Sequence, residues 1–381
     1  MATISISPSG GDDTSNIQSH INSTASAGNI LQLNAGNYTS GSLTFPSNAN
    51  LSLVSGVTVR ARSGMSGDFL AMTGNVSNIT IAGAGPTVSV FDMGRQGGGE
   101  CLRLENATNI NISGVSCNNA GQDGLYVHYA TVVHVTNCVF DGNTRQGSSI
   151  TGAVNHIFYS HCTFSNTHGA GPSAGIDIEP NKPSEFLLDV NITDCTMTGN
   201  QGDGIDFSVQ NLDGTSQPIS VHVLRNTNTG NGGLAGFGYG GYVANNNGVT
   251  NPGGYILVEN SSTTNDAYWG ACGRFWAANG TALIFKNLTV TNPHVNGPDP
   301  SYGDSAAVAT AGGAGNTPPI GNVHYLNCNI NVTNGKTDHY FNFATNGGSG
   351  VTNVQFLPGT LSGASSSTMG LFRGASSGPI N

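Results

Sequence analysis

One short pattern, met again and again along the chain, limits what the chain can fold into. A triplet with apolar first and third residues occurs as Ile79-Thr80-Ile81, Ile110-Asn111-Ile112, Val133-His134-Val135 and Ile157-Phe158-Tyr159. It returns as Val190-Asn191-Ile192, Val221-His222-Val223, Ile256-Leu257-Val258, Leu283-Ile284-Phe285, Val323-His324-Tyr325 and Val354-Gln355-Phe356. Successive starts are 31, 23, 24, 33, 31, 35, 27, 40 and 31 residues apart. A period of two is that of a strand with one buried face, and self-similarity at such intervals marks a stacked repeat architecture. The shortest intervals hold two or three short strands, which is one turn of a parallel β-helix. Longer intervals read as the same turn with loops inserted. Helical repeats are excluded, because the apolar spacing is two and glycine interrupts every unit. A β-sandwich would not present ten equivalent units. The predicted fold is therefore all-β, one parallel β-helix of about ten turns.

Residues 10–45 read differently. Asp12-Asp13-Thr14 supplies N-cap chemistry for a short helix carrying Ile17, Ile21 and Ala25. A strand Ile30-Leu31-Gln32-Leu33 and a turn at Ala35-Gly36 follow. Such a helix would cover the open end of the stacked strands, an edge prone to aggregation if left bare. The expected organisation is a cap with its first strand over 1–45 and one continuous β-helix over 46–381. Composition agrees: 56 glycines and 8% charged residues suit a narrow core wrapped in polar turns. The net charge of -10 argues against nucleic acid and anionic membranes as partners. No apolar run approaches the length of a membrane span. Met1–Ser5 has neither a basic nor an apolar leader segment. Seven cysteines without a C-x-x-C pair give no zinc ribbon. Cys138, Cys162 and Cys195 share a column with Ala84, Val115 and Ser261, so small size is what that column selects, and plain core packing is expected.

The functional signal lies in Gly175–Phe207. Asp177 and Glu179 alternate with Ile176 and Ile178, and Asp206 lies between Ile205 and Phe207. Aligning the repeats puts Leu102, Leu125, Ile176, Ile205 and Phe275 at one inward position. The residues after them, Arg103, Tyr126, Asp177, Asp206 and Trp276, then point outward. Two residues on, the same face carries Glu105, His128, Glu179 and Ser208. Like charges on neighbouring strands repel, so a structural surface would avoid the arrangement. Clustered carboxylates cannot all ionise at neutral pH; one is pushed up and becomes a proton donor. Two of Asp177, Glu179 and Asp206 are expected as acid and base. Arg103, Glu105, Tyr126, His128, Lys182 and Trp276 are expected to hold substrate. Strand geometry separates Asp177 from Glu179 by about 6.6 Å and Glu179 from Asp206 by about 8 Å, nearer the inverting than the retaining range of glycosidases. Asp177 and Asp206, at about 4.8 Å, leave retention open. Asp123-Gly124 and Asp203-Gly204 read as turn dipeptides. The glycine-rich run 232–241 reads as a loop beside the face, and His134, His156, His161 and His222 as solvent-facing.

The run Gly11-Asp12-Asp13-Thr14, Ile17-Gln18, Ile30-Leu31-Gln32-Leu33, Gly36-Asn37-Tyr38 resembles the N-terminal signature of pectate-lyase-like right-handed β-helix proteins. Gly175 to Asn181, reading G-I-D-I-E-P-N, resembles a run seen in bacterial members. The resemblance implies a right-handed parallel β-helix and a carbohydrate-active, secreted or extracellular protein acting on a polysaccharide. It does not choose a reaction, since lyases, glycoside hydrolases, epimerases and tailspikes share this architecture. Paired carboxylates favour a glycoside hydrolase without cofactor. The alternative is a calcium-assisted lyase or epimerase of a uronic-acid polymer, with Asp177, Glu179 and Asp206 as calcium ligands and Lys182 as base. A third reading is a tailspike-like protein that binds glycans without cleaving them. Oligomeric state is not legible.

Overall fold

The structure is a computed structural model and describes residues 1–96, 98–232, 238–242, 252–274, 276–300, 305–312, 320–345 and 351–365. The chain divides into two compact units, Met1–Ser173 and Ala174 onward. Each is a parallel β-helix.

In the first unit the repeated triplets stack in register as predicted: Ile79 opposite Ile110, Ile110 opposite Val133, and Val133 opposite Ile157. Their flanking residues Ile79, Ile81, Ile110, Ile112, Val133 and Val135 are buried. A second wall stacks Leu70, Leu102, Leu125 and Ser148. A third stacks Phe91, Cys117, Phe140 and Phe164, where the last two rings lie parallel with centroids 5.1 Å apart. The helix Thr14–Ala27 caps this unit and buries Ile17, Ile21 and Ala25. Its start differs from a simple N-cap. Asp12 Oδ1 accepts the Thr14 N–H at 3.0 Å, while the Asp13 side chain turns away to accept Ser9 N–H and Thr39 N–H. Asp13 thus ties the helix to the strand beside it.

In the second unit Val190, Val221, Ile256, Leu283, Val323 and Val354 stack in one column. Phe285 and Tyr325 lie parallel at 5.1 Å beneath it. The strand Tyr239–Tyr242 forms a rung between Ile205–Ser208 and Ala271–Arg274. Part of the stretch read as a glycine-rich loop is therefore a strand; residues 233–237 lie outside the described residues.

Corners explain the asparagine content. In the first unit Asn48, Asn78 and Asn109 have φ of 68°, 58° and 58°, a region Asn tolerates better than most residues. Asn78 donates its amide to Asn48 Oδ1 at 3.2 Å, and Asn109 to Asn78 Oδ1 at 2.8 Å. Asn260, Asn287 and Asn327 repeat the device in the second unit. An amide carries donor and acceptor at once, so the same residue can bond upward and downward. The cysteines are all buried, and none is in a disulfide. Cys138 and Cys162 each donate to the carbonyl two residues earlier, at 3.3 Å, as small core residues do. Among the described residues no helix is long and apolar enough to cross a membrane.

One ladder contains an acid. Asn200 donates through Nδ2 to Asn231 Oδ1 at 2.9 Å, and Asp266 Oδ1 accepts the Asn231 N–H at 3.1 Å. Asp266 is 1% exposed, and its Oδ2 accepts from the Thr263 hydroxyl. Burial pushes its carboxyl up to about 8, against the hydrogen bonds from Asn231. The folded state therefore holds a proton there that the unfolded chain releases above about 4, so stability falls as pH rises from about 4 to about 8 and then levels off. Asp266→Asn keeps an acceptor for Asn231 and removes this loss. The variant should melt higher than wild type at pH 8 and nearly equally at pH 4; equal melting temperatures at both would contradict the assignment.

Candidate functional site

The first unit gathers a compact network around Arg103. Register sets Arg103 opposite Tyr126 and Glu105 opposite His128, as the repeat alignment predicts. The guanidinium lies 2.8 Å from Glu105, 3.3 Å from Glu100 and 3.7 Å from Asp68, and packs 4.8 Å over the Tyr126 ring. The His128 ring stands 3.5 Å from Glu105. Arg103 holds the Glu105 carboxyl below its usual range. Glu100, by contrast, is pushed up to about 8, first by burial and then by the neighbouring Asp68. Burial also raises the Tyr126 phenol. Glu100 and Asp68 form a carboxyl pair outside the expected set, yet its signal is in the sequence. Asp68, Glu100 and Asp123 each stand two residues before an inward leucine, Leu70, Leu102 and Leu125, on successive rungs.

Asp123 corrects a turn assignment. It opens the strand Asp123–His128, is fully buried, lies 3.3 Å from Arg145 and accepts the Ser149 hydroxyl at 2.8 Å.

In the second unit Ile176 pairs with Ile205, Asp177 with Asp206 and Ile178 with Phe207. The acidic column is real, but its members differ in environment. Asp177 is buried at 1% exposure, contrary to the expectation of an open face, while Glu179 and Asp206 keep partial exposure. Burial raises the Asp206 carboxyl to about 6; the Ser208 hydroxyl, which donates to Oδ2 at 3.0 Å, and Arg274 pull it down, and Glu179 pushes it up. Lys182 lies 3.7 Å from the buried Glu185, whose carboxylate also accepts the Asn181 N–H at 2.5 Å. Among the described residues no three His, Cys, Asp or Glu side chains are grouped to hold a metal ion.

Trp276 does not belong to the face. It is fully buried, and its Nε1 donates to Thr281 O at 2.9 Å; Phe275, expected to point inward, lies outside the described residues. Phe275 stands eight residues before Leu283, the offset of Leu102 from Ile110 and of Leu125 from Val133, but the turn after Ala271–Arg274 is longer, and the register runs through the Tyr239–Tyr242 rung. Through it, Ile205 stacks under Tyr239 and Tyr239 under Ala271, so Ala271 rather than Phe275 occupies the inward column. Cys272 then follows Gly240 in the Asp206 column, and Arg274 follows Tyr242 in the Ser208 column. The register thus brings in a cation, Arg274, in place of the tryptophan. Trp276 instead fills space left where no side chain projects: a Cβ on Gly241 would meet its ring at 3.1 Å.

Comparison with known proteins supports the fold and little more. No protein-family model matches the chain, and no curated protein matches it. Among solved structures, the A-module of the mannuronan C-5 epimerase of Azotobacter vinelandii superposes with a TM-score of 0.70 at 12% identity, covering 97% of this chain and 96% of that one. A surface protein and adhesin of Streptococcus pneumoniae gives 0.68 at 11% identity, over 98% and 100%. A family 28 exopolygalacturonase of Yersinia enterocolitica gives 0.67 at 13%, over 100% and 78%. The chain is a right-handed parallel β-helix. An epimerase, an adhesin and a hydrolase at nearly equal similarity leave the activity to the site itself.

Replacing Trp276 with alanine should cost about 3–5 kcal/mol of stability, the usual toll for emptying a core aromatic. Urea denaturation checks this; an unchanged midpoint would return Trp276 to the surface.

Proposed function

We propose that the protein is a polysaccharide-processing enzyme, a glycoside hydrolase in which Asp206 is the general acid and Glu179 the base. The observation that carries the reading is the in-register Asp177–Asp206 pair, with one member buried and the other partly open beside Glu179 and Arg274. A carboxyl at about 6 keeps its proton in weakly acidic solution yet can release it to a leaving oxygen. Asp206 would protonate the glycosidic oxygen while Glu179 takes a proton from the attacking water. The C–O bond breaks as water adds to the sugar carbon. The diagonal placement of Glu179 and Asp206, roughly 7–8 Å, leaves room for that water and favours inversion. Asp177 tunes the pair from below.

Two of the structural neighbours, named as an epimerase of mannuronan and an exopolygalacturonase, act on polysaccharides. Their fold is compatible with this chemistry, and so is that of an adhesin. Elimination from a uronic-acid polymer, with calcium held by Asp177, Glu179 and Asp206, needs Lys182 as a neutral base. Lys182 instead stands 3.7 Å from Glu185 as a member of an ion pair.

Incubation with a glycan panel should yield new reducing ends without the ultraviolet absorbance of unsaturated uronides; that absorbance would overturn hydrolysis. Asp206→Asn should lower kcat by about 100-fold or more while the variant melts as wild type does. Undiminished cleavage would remove Asp206 from the mechanism. Wild-type kcat should fall as pH rises through about 6, where the acid loses its proton. Arg274→Gln, which removes the cation favouring the ionised form, should move that limb to higher pH. A limb that stays in place would show that Arg274 does not act on Asp206.

A further inference from the structure

The triplet strands of the first unit present a second surface, distinct from the Arg103 network. The middle residues of successive triplets point outward and stack in one column: Asn50, Thr80, Asn111, His134 and Phe158. Two residues further along runs a parallel column of Ser52, Ala82, Ser113, Thr136 and Ser160. None of these positions holds Asp, Glu, Lys or Arg. On the side of Asn50 the column borders the corner ladder Asn48–Asn78–Asn109, whose amides are bonded to one another. Between ladder and column lies an open groove of about 390 Å³, lined by Asn48, Asn50, Asn78, Thr80, Asn109 and Asn111 with Met1 and Gly28 beside them.

The chemistry of that groove is narrow. Each amide offers a carbonyl acceptor and two N–H donors, and Thr80 adds a hydroxyl. The corner amides are largely spent on the ladder, but Asn111 is exposed and Asn50 makes only a long 3.4 Å contact to Asn48 O. The donors and acceptors recur at each rung, about 4.8 Å apart, along a straight line. A ligand that matches carries hydroxyls at regular intervals; the Met1 ammonium is the one charged group among the lining residues, too little to neutralise a polyanion on a chain that carries -10 overall. That describes a neutral oligosaccharide running along the helix axis.

We propose that this groove is a binding site for neutral oligosaccharide segments, separate from the carboxylate site. It does not depend on the hydrolase reading, because a protein that only binds glycans could use it equally well.

The test is affinity electrophoresis of the full chain through gels containing a neutral glucan, xylan or mannan, with polygalacturonate as the charged control. Wild type should be retarded by at least one neutral polymer, and Asn50→Ala/Asn111→Ala should bind it about tenfold more weakly, as expected for two lost hydrogen bonds. Thr80→Arg, which fills the groove, should abolish the retardation, with melting temperatures confirming that both variants fold. Asp206→Asn should be retarded as wild type is, which separates this site from the proposed catalytic one. The proposal is overturned if no neutral polymer retards the protein, if only polygalacturonate does, or if the groove variants run as wild type. It is equally overturned if they abolish self-association of the chain without affecting retardation.

Discussion

Everything in this molecule depends on the parallel ladder that sets each residue directly above its counterpart one turn earlier. In most folds a side chain meets neighbours of unrelated kind. Here it meets the residue at its own position in the next rung, about 4.8 Å away. Whatever the column selects is therefore selected repeatedly. Isoleucine and valine stack on one wall and aromatics on another. Asparagine stacks at the corners, where it accepts positive φ and bonds to copies of itself.

The same geometry makes acidic columns costly. A carboxylate above a carboxylate, in a chain with few cations, has no cheap partner. The outcome in each unit is a split between members of the set. Glu100 is driven toward its neutral form while Glu105 stays ionised against Arg103. In the second unit Asp177 is enclosed, and Asp206, still reachable from solvent, sits near 6. Environments that separate like groups in this way are the physical basis for assigning an acid and a base. Arg274 matters for that reason: it is a cation placed by the register close to the column it moderates.

How much of this was legible follows from which columns carry a pattern. The triplets stood in the sequence and within each unit stack as their spacing implies. Asp177 over Asp206 and Arg103 under Tyr126 followed from the same count. The reading failed where apolar alternation is missing. Tyr239-Gly240-Gly241-Tyr242 makes a full rung with two glycines, so it looked like a loop, and the longer turn after Ala271–Arg274 gave Phe275 and Trp276 the spacing of the face without its register. Asp123-Gly124 looked like a turn because that dipeptide usually is one, whereas this glycine lies in a strand and the aspartate meets Arg145.

By itself the sequence determined the repeat, the parallel β-helix that the repeat demands, the capping helix and the existence of an acidic column, because each depends on periodicity along the chain. Tertiary structure decided which acids are enclosed, which keep a path to solvent, and that Arg274 rather than Trp276 stands near Asp206. Those outcomes depend on where inserted segments return to the stack and on which interior gaps they leave. Trp276 is inside because Gly241 leaves room for its ring, and no count of residues from Asp206 could reveal that space.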